Sequence, residues 1–108
     1  MVPSLPFVDD SFERAFASNL YGHLPPDDRA HLLAEMARVS AELVILDQLA
    51  ASGPFREGPE ERSLRNGTRL VIHKCYFTVD RLLEEIHGAE VVMNGPVFAV
   101  LRLRRGSG

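Results

Sequence analysis

The chain has 108 residues, 45% of them hydrophobic and 25% charged, which fits one compact domain and leaves no room for two. Its formal charge is -3, and the basic residues are scattered apart from Arg102, Arg104 and Arg105, so a nucleic-acid groove is not among the expected functions. The single cysteine, Cys75, excludes an internal disulfide framework and a cysteine-rich zinc site and suits a reducing cytoplasm, while no apolar run reaches the roughly 18 residues of a membrane helix.

In chain order, Val8 to Ser11 is polar and Phe12 to Ser18 is apolar-rich, so a buried strand is predicted over 12–18. Pro25 and Pro26 fix φ where a helix begins, and Asp27 and Asp28 suit the positive end of its dipole. Leu32, Leu33, Met36 and Val39 recur at near-helical spacing, which predicts a helix over 26–40. Leu43 to Leu46 is a continuous branched run ended by Asp47 and Gln48, the pattern of a strand over 43–47 covered on both faces within a parallel sheet. Residues 50–67 are rich in glycine, proline and charge and read as a long surface loop with a short helical turn around Glu60 to Leu64.

Asn66-Gly67 is a tight-turn signal leading into a strand-like run from Thr68 to His73. Thr78 caps a second helix over 79–87, with Val79, Leu82, Leu83 and Ile86 on one face and Gly88 placed to end it. Two β-rich runs, 90–93 and 97–103, flank Asn94-Gly95-Pro96 and predict a closing antiparallel hairpin. The predicted fold class is α/β: one domain over 1–108 with about four strands and two main helices in layers.

Three stretches, collinear and at fitting spacing, carry a family resemblance. Ser4-Leu5-Pro6-Phe7 with Asp10-Ser11-Phe12-Glu13 leads into the first strand. Ser18-Asn19-Leu20-Tyr21-Gly22-His23-Leu24 follows it, and Ala37-Arg38-Val39 closes the helix before the second strand. The tail adds Glu61-Arg62, Asn66-Gly67-Thr68, His73-Lys74 and Tyr76-Phe77-Thr78. Together they resemble the C-terminal half of a class I, Rossmann-like S-adenosylmethionine (SAM)-dependent methyltransferase, whose reversed final strand inserts beside the fifth. Glu13 stands where that family usually has aspartate, and Ser40-Ala41-Glu42 replaces its common lysine-proline-glycine-glycine turn.

The resemblance implies SAM as cofactor, with Leu5, Ser18, Asn19 and Leu20 on the cofactor side and Tyr21, Asp47, Gln48 and Tyr76 facing a small-molecule methyl acceptor. It also implies an absence. The family's glycine-rich turn and ribose-binding acidic residue have no counterpart among the eight glycines and their surroundings, and Met1 stands about where the family places an adenine-contacting aspartate. The chain is therefore expected to be inactive alone, because methyl transfer needs donor and acceptor oriented together.

His23 is the candidate general base, since an imidazole titrates near neutrality; the alternative is that it only packs or hydrogen-bonds at the helix start. His31 and His87 read as solvent-exposed helix residues, and Cys75 as a small packing hydrophobe. No histidine pair has the i, i+4 spacing of a helical metal site, so no metal is expected. The first strand would lack its family neighbour and expose an edge, which predicts a homo-oligomer or a complementary N-terminal half as partner. The competing function is a non-catalytic α/β module that associates through that edge.

Overall fold

A computed structural model describes residues 4–104, so Met1 and Arg105 lie outside the described residues. In order come β1 (Phe12–Ser18), a 3-10 turn (Tyr21–His23), α1 (Pro26–Val39), β2 (Ser40–Gln48), β3 (Arg56–Ser63), β4 (Arg69–Tyr76), α2 (Val79–Glu85), β5 (Glu90–Asn94) and β6 (Phe98–Arg104). Four strands form one sheet in the order β1-β2-β6-β5, and β3 and β4 pair as a separate hairpin. The fold is mixed α/β, as the hydrophobic periodicity indicates.

Pro26 opens α1 where its missing N–H costs nothing, and Asp27 and Asp28 follow in the first turn. Leu32, Met36 and Val39 are buried along one stripe. The helix stops at Ser40, whose hydroxyl donates to the Met36 carbonyl at 2.6 Å, and the chain enters β2 without a loop. β2 then pairs in parallel with β1 from Phe12↔Ser40 to Ser18↔Leu46, so α1 is the crossover between them. β6 runs antiparallel to β2 and sits between it and β5, the reversed insertion expected from the family resemblance. Thr78 caps α2 by accepting the Arg81 N–H at 3.1 Å, and Gly88 beyond the helix takes φ +83°, a left-handed conformation that glycine reaches without strain.

Beyond Ser40 at the helix junction, the buried β2 side chains Leu43, Ile45 and Asp47 point one way. Leu43 and Ile45 join Leu101 of β6, Leu32 and Met36 of α1, Leu82 of α2 and Ile86 just beyond it, and Tyr21 and Phe77 in one core. Each fully buried Leu or Ile contributes roughly 1.5–3 kcal/mol. Both helices therefore lie on the same face of the sheet.

Three sequence expectations are corrected. β2 is not covered on both faces: Val44, Leu46 and Gln48 alternate with the core positions and are only half-buried, because no element among the described residues packs on their side. β1 is not buried: only Ala17 is, whereas Phe12 and Phe16 are exposed, because β1 is an edge strand with no neighbour beyond it among the described residues. Residues 50–67 are not a long loop, and Glu60 to Leu64 is not helical.

Arg56 to Ser63 is strand β3, paired with β4 from Arg56↔Tyr76 to Ser63↔Arg69. Pro59 is tolerated because β3 is an edge strand and needs no donor on its outer side. Charged pairs such as Arg62–Glu60 and Arg69–Glu61 replace apolar cover. The Asn66-Gly67 turn does form: Gly67 has φ +86°, and Leu64 and Thr68 close it with an N–H···O bond of 2.7 Å.

Candidate functional site

β1 and β2 are parallel, so their carboxyl ends, Ser18 and Gln48, fall on one edge of the sheet, where open α/β sheets gather ligands. Asn19 leaves β1 with φ +58°, a conformation uncommon outside glycine, and its N–H donates to the Leu46 carbonyl at 3.0 Å. This turn leaves Ser18, Asn19 and Leu20 exposed at the edge and sends the chain inward as the 3-10 turn.

Asp47 holds that turn in place. Fully buried, its carboxylate accepts the Gly22 N–H and the Gln48 N–H, each at 2.8 Å. Only glycine fits at 22, since a Cβ there would come within 2.6 Å of Asp47 Oδ1. His23 is half-buried, with Nδ1 3.2 Å from the His73 carbonyl. A carbonyl can only accept, so Nδ1 carries the proton and Nε2 of the neutral ring keeps its lone pair. Gln48 ties the edge to the hairpin through its carbonyl, which accepts the Phe77 N–H at 3.2 Å.

Behind the turn lies a charged knot that sequence reasoning missed. Arg29 is only 2% exposed, yet it lies on the buried stripe of α1. Its guanidinium donates to Glu85 at 2.8 and 2.9 Å, to Glu57 at 2.5 and 3.3 Å, to the Leu24 carbonyl at 2.9 Å and to Cys75 Sγ at 3.1 Å. Tyr21 donates its hydroxyl to Glu85 at 2.6 Å and stacks on Phe77.

Burial works against the charge on both glutamates, but the hydrogen bonds outweigh it. Arg29 and His73 hold Glu57 at about 2, and Arg29, Tyr21 and Arg81 lower Glu85. Burial also pushes the Tyr21 phenol up, helped by its bond to the Glu85 carboxylate, and pushes the Cys75 thiol up to about 12 despite the nearby Arg29 charge. Cys75 is thus a neutral packing thiol at physiological pH.

The fold brings Glu57, His73 and Cys75 together, with candidate ligand atoms all within 4.8 Å of one another. Arg29 occupies the same carboxylate and thiol, so a cation entering there meets a resident positive charge.

Of the residues singled out in the sequence, Ser18, Asn19, Leu20, His23 and Gln48 gather at the carboxyl edge. Tyr21 and Asp47 belong to the same turn but are buried, with their polar atoms committed to Glu85 and to Gly22 and Gln48. Tyr76 stands on the hairpin, where its hydroxyl donates to Glu60 at 2.6 Å. Leu5 is far from this group. Its N–H donates to Glu35 and its carbonyl accepts from Arg38, at the end of α1 beside the start of β1. That places it roughly 20 Å from Ser18, the length of the strand. His87 is exposed as expected, whereas His31 is half-buried.

Arg29 was detectable in principle, since it sits three residues before Leu32 and seven before Met36 on the apolar stripe. Glu57 was not, because its partner depends on hairpin register.

The described residues do not by themselves fit SAM. Gly53, Gly67, Gly88 and Gly95 lie in turns, Gly58 lies in a strand, and Gly22 abuts Asp47, so no glycine opens a helix to cradle a ligand. The acidic group at the carboxyl edge, Asp47, is fully buried and already hydrogen-bonded.

No protein-family model matches the sequence, and no curated protein matches it. Two solved structures match the fold with a TM-score of 0.66 each. The DhpI-SAH complex is 20% identical over 94% of this chain, and the DhpI-SAM-HEP complex is 18% identical over 89%. In each case the match covers 52% of the DhpI chain, so this chain spans about half the length of the structures it resembles. The four-stranded sheet with β6 reversed between β2 and β5 is therefore a fold shared with about half of DhpI.

Proposed function

We propose that this chain is the methyl-acceptor half of a SAM-dependent small-molecule methyltransferase, inactive alone and completed by a complementary N-terminal half. The observation that carries this reading is the open side of the sheet. Phe16, Val44, Val92 and Val100 line a trough of about 350 Å3 on the face opposite the helices, rimmed by Arg14, Glu42 and Arg102, and β1 beside it has an unpaired edge. Support for the cofactor comes from the fold shared with a protein solved with SAM and with SAH.

A second copy cannot close both openings. Two-fold pairing of β1 edges is antiparallel about an axis normal to the sheet, which leaves the apolar faces open, and face-to-face stacking leaves the edges open. A segment that adds a parallel strand beyond β1 and lays a helix across Phe16 and Val44 closes both.

Within that complex Ser18, Asn19 and Leu20 form the cofactor side. Gln48 and Tyr76 contact the acceptor, and Asp47 and Tyr21 position the turn. His23 accepts the acceptor's proton at Nε2. The described residues supply no SAM cradle, so no transfer step is assigned to them alone.

The test is calorimetric titration of SAM into the chain alone and into an equimolar mixture with the part of DhpI outside the shared fold, followed by labelled methyl transfer to a panel of small acceptors. Saturable binding only in the mixture supports the reading. A stable complex that binds no SAM favours the non-catalytic association module, for which the exposed Phe12, Phe16 and Val92 also argue.

A further inference from the structure

The backbone around His23 is held within the 3-10 turn, but its ring is held from outside. The His23 N–H donates to the Leu20 carbonyl at 3.0 Å, Asp47 accepts the Gly22 N–H, and Arg29 fixes the exit of the turn by donating to the Leu24 carbonyl. The ring instead depends on the hairpin: Nδ1 donates to the backbone carbonyl of His73, on β4, at 3.2 Å. Pro59 stands opposite His73 in the β3–β4 register and has no N–H with which to claim that carbonyl.

A two-stranded hairpin has little stability of its own, so the His73 carbonyl stays beside the turn only while the hairpin is fastened there. Backbone bonds of Phe77 to Gln48 and Ala50 fasten it just past the end of β4. Glu57 fastens it at His73 itself. Glu57 is paired with Cys75 and so lies diagonally across the strands from His73, within reach of a long side chain. Its Oε2 accepts from His73 Nε2 at 2.7 Å and from Arg29 Nη1 at 2.5 Å, and its Oε1 accepts from Arg29 Nη2 at 3.3 Å. One carboxylate thus joins the His73 ring to the guanidinium that also holds Leu24 and, through Glu85, Tyr21.

We propose that Glu57 is a positioning residue for His23: by binding His73 and Arg29 together it keeps the His73 carbonyl on Nδ1 and leaves Nε2 as the nitrogen that takes a proton. In a neutral imidazole the hydrogen bond made by one nitrogen decides where the proton sits. With the hairpin loosened at His73, the ring is released to divide between its two tautomers. The role rests on the reading of His23 as the base of a methyltransferase, whereas the tautomer is a property of the isolated chain. A wrong tautomer would remove the role of Glu57 and leave the case for methyl transfer standing, and an assembly that transfers no methyl group would leave the tautomer as measured.

The test is side-chain 15N NMR of the full chain at about pH 8, where an unperturbed imidazole is neutral, with His23→Gln identifying the His23 signals among the four histidines. The native ring should carry its proton on Nδ1 and have a bare Nε2. Glu57→Leu keeps the bulk and removes both bonds, and should raise the Nε2–H tautomer to at least an equal share. Val39→Ala, a core truncation at the other end of α1, weakens the fold without touching the hairpin and should leave the proton on Nδ1. Should Glu57→Leu fail to fold, Glu57→Asp keeps the charge on a stem too short to span Arg29 and His73, and the same shift is expected. A native ring in the Nε2–H form, a folded Glu57 variant that keeps Nδ1–H intact, or an equal shift in Val39→Ala would overturn the assignment.

Discussion

Replacing Arg29 with Met tests the charged knot behind the 3-10 turn. Methionine keeps most of the buried stem but removes six hydrogen bonds, four of them to Glu57 and Glu85, which are 16% and 15% exposed. Removing one partner of a buried ion pair costs about 3–5 kcal/mol, because the remaining charges are left without compensation. Against a stability of roughly 5–15 kcal/mol for a domain of this size, that is a large share. It corresponds to a fall in Tm of about 15 °C or more.

Urea unfolding followed by far-UV circular dichroism suits a chain without tryptophan. The sign of the pH dependence is also fixed. In the native chain both glutamates have lowered pKa values, so their stabilisation is present at pH 5 to 7 and fades only as pH falls below the unfolded value near 4.3 towards about 2 for Glu57. In Arg29→Met the half-buried Glu57 loses its guanidinium and Glu85 keeps only Arg81, so their pKa values rise and they take up protons on mild acidification. The deficit of the variant should therefore shrink between pH 7 and pH 5. A loss below about 1 kcal/mol, or a deficit that stays constant over that range, would refute the reasoning.

Cys75 and Tyr21 set the alkaline limit. Their folded pKa values are raised, so stability holds below the unfolded values and falls as pH climbs past about 8.5 for Cys75, by up to about 1.4 kcal/mol per pH unit per group; a Cys75→Ala variant with an undiminished slope between pH 8.5 and 10 would count against the Cys75 share. Gly22→Ala should cost about 1–3 kcal/mol by driving a Cβ into Asp47, measured by the same unfolding curves, and a neutral result would show that the Asp47 clamp yields freely. Phe16→Glu and Val92→Lys, at exposed positions on the open face, should change the stability of the chain alone by no more than about 0.5 kcal/mol while abolishing assembly with a complementary half, as read by sedimentation. A large stability loss in the chain alone would mean that the face is already covered by another copy.

The elements with strong local signals were legible in the sequence. Pro26, the Leu32/Met36/Val39 stripe, the Thr78 cap and the Asn94-Gly95-Pro96 turn each specify their own structure, and α1, α2 and the closing hairpin formed within two residues of expectation. β3 was not legible, because Arg56 to Ser63 has the composition of a loop and becomes a strand only through pairing with β4. Burial of β1 and β2 was overread for a related reason: Leu43 to Leu46 has the pattern of a strand sandwiched between layers, whereas the described chain supplies one layer only.

At the site, Ser18 to His23 and Gln48 follow from parallel pairing, which puts strand ends together. Leu5 could not be placed by adjacency in sequence, since Glu35 and Arg38 fasten it at the opposite end of β1. The Arg29 knot depends on the hairpin folding back against α1 and on its register, neither of which a periodicity reveals.

Hydrogen exchange at the β1 amides of Arg14, Phe16 and Ser18, measured with and without the complementary half, addresses the open sheet most directly. In the isolated chain those amides that point away from β2 should exchange rapidly, and in the complex they should slow by about tenfold or more as a new parallel strand pairs with them. Strong protection already present in the purified chain, or none gained in a stable complex, would contradict the account.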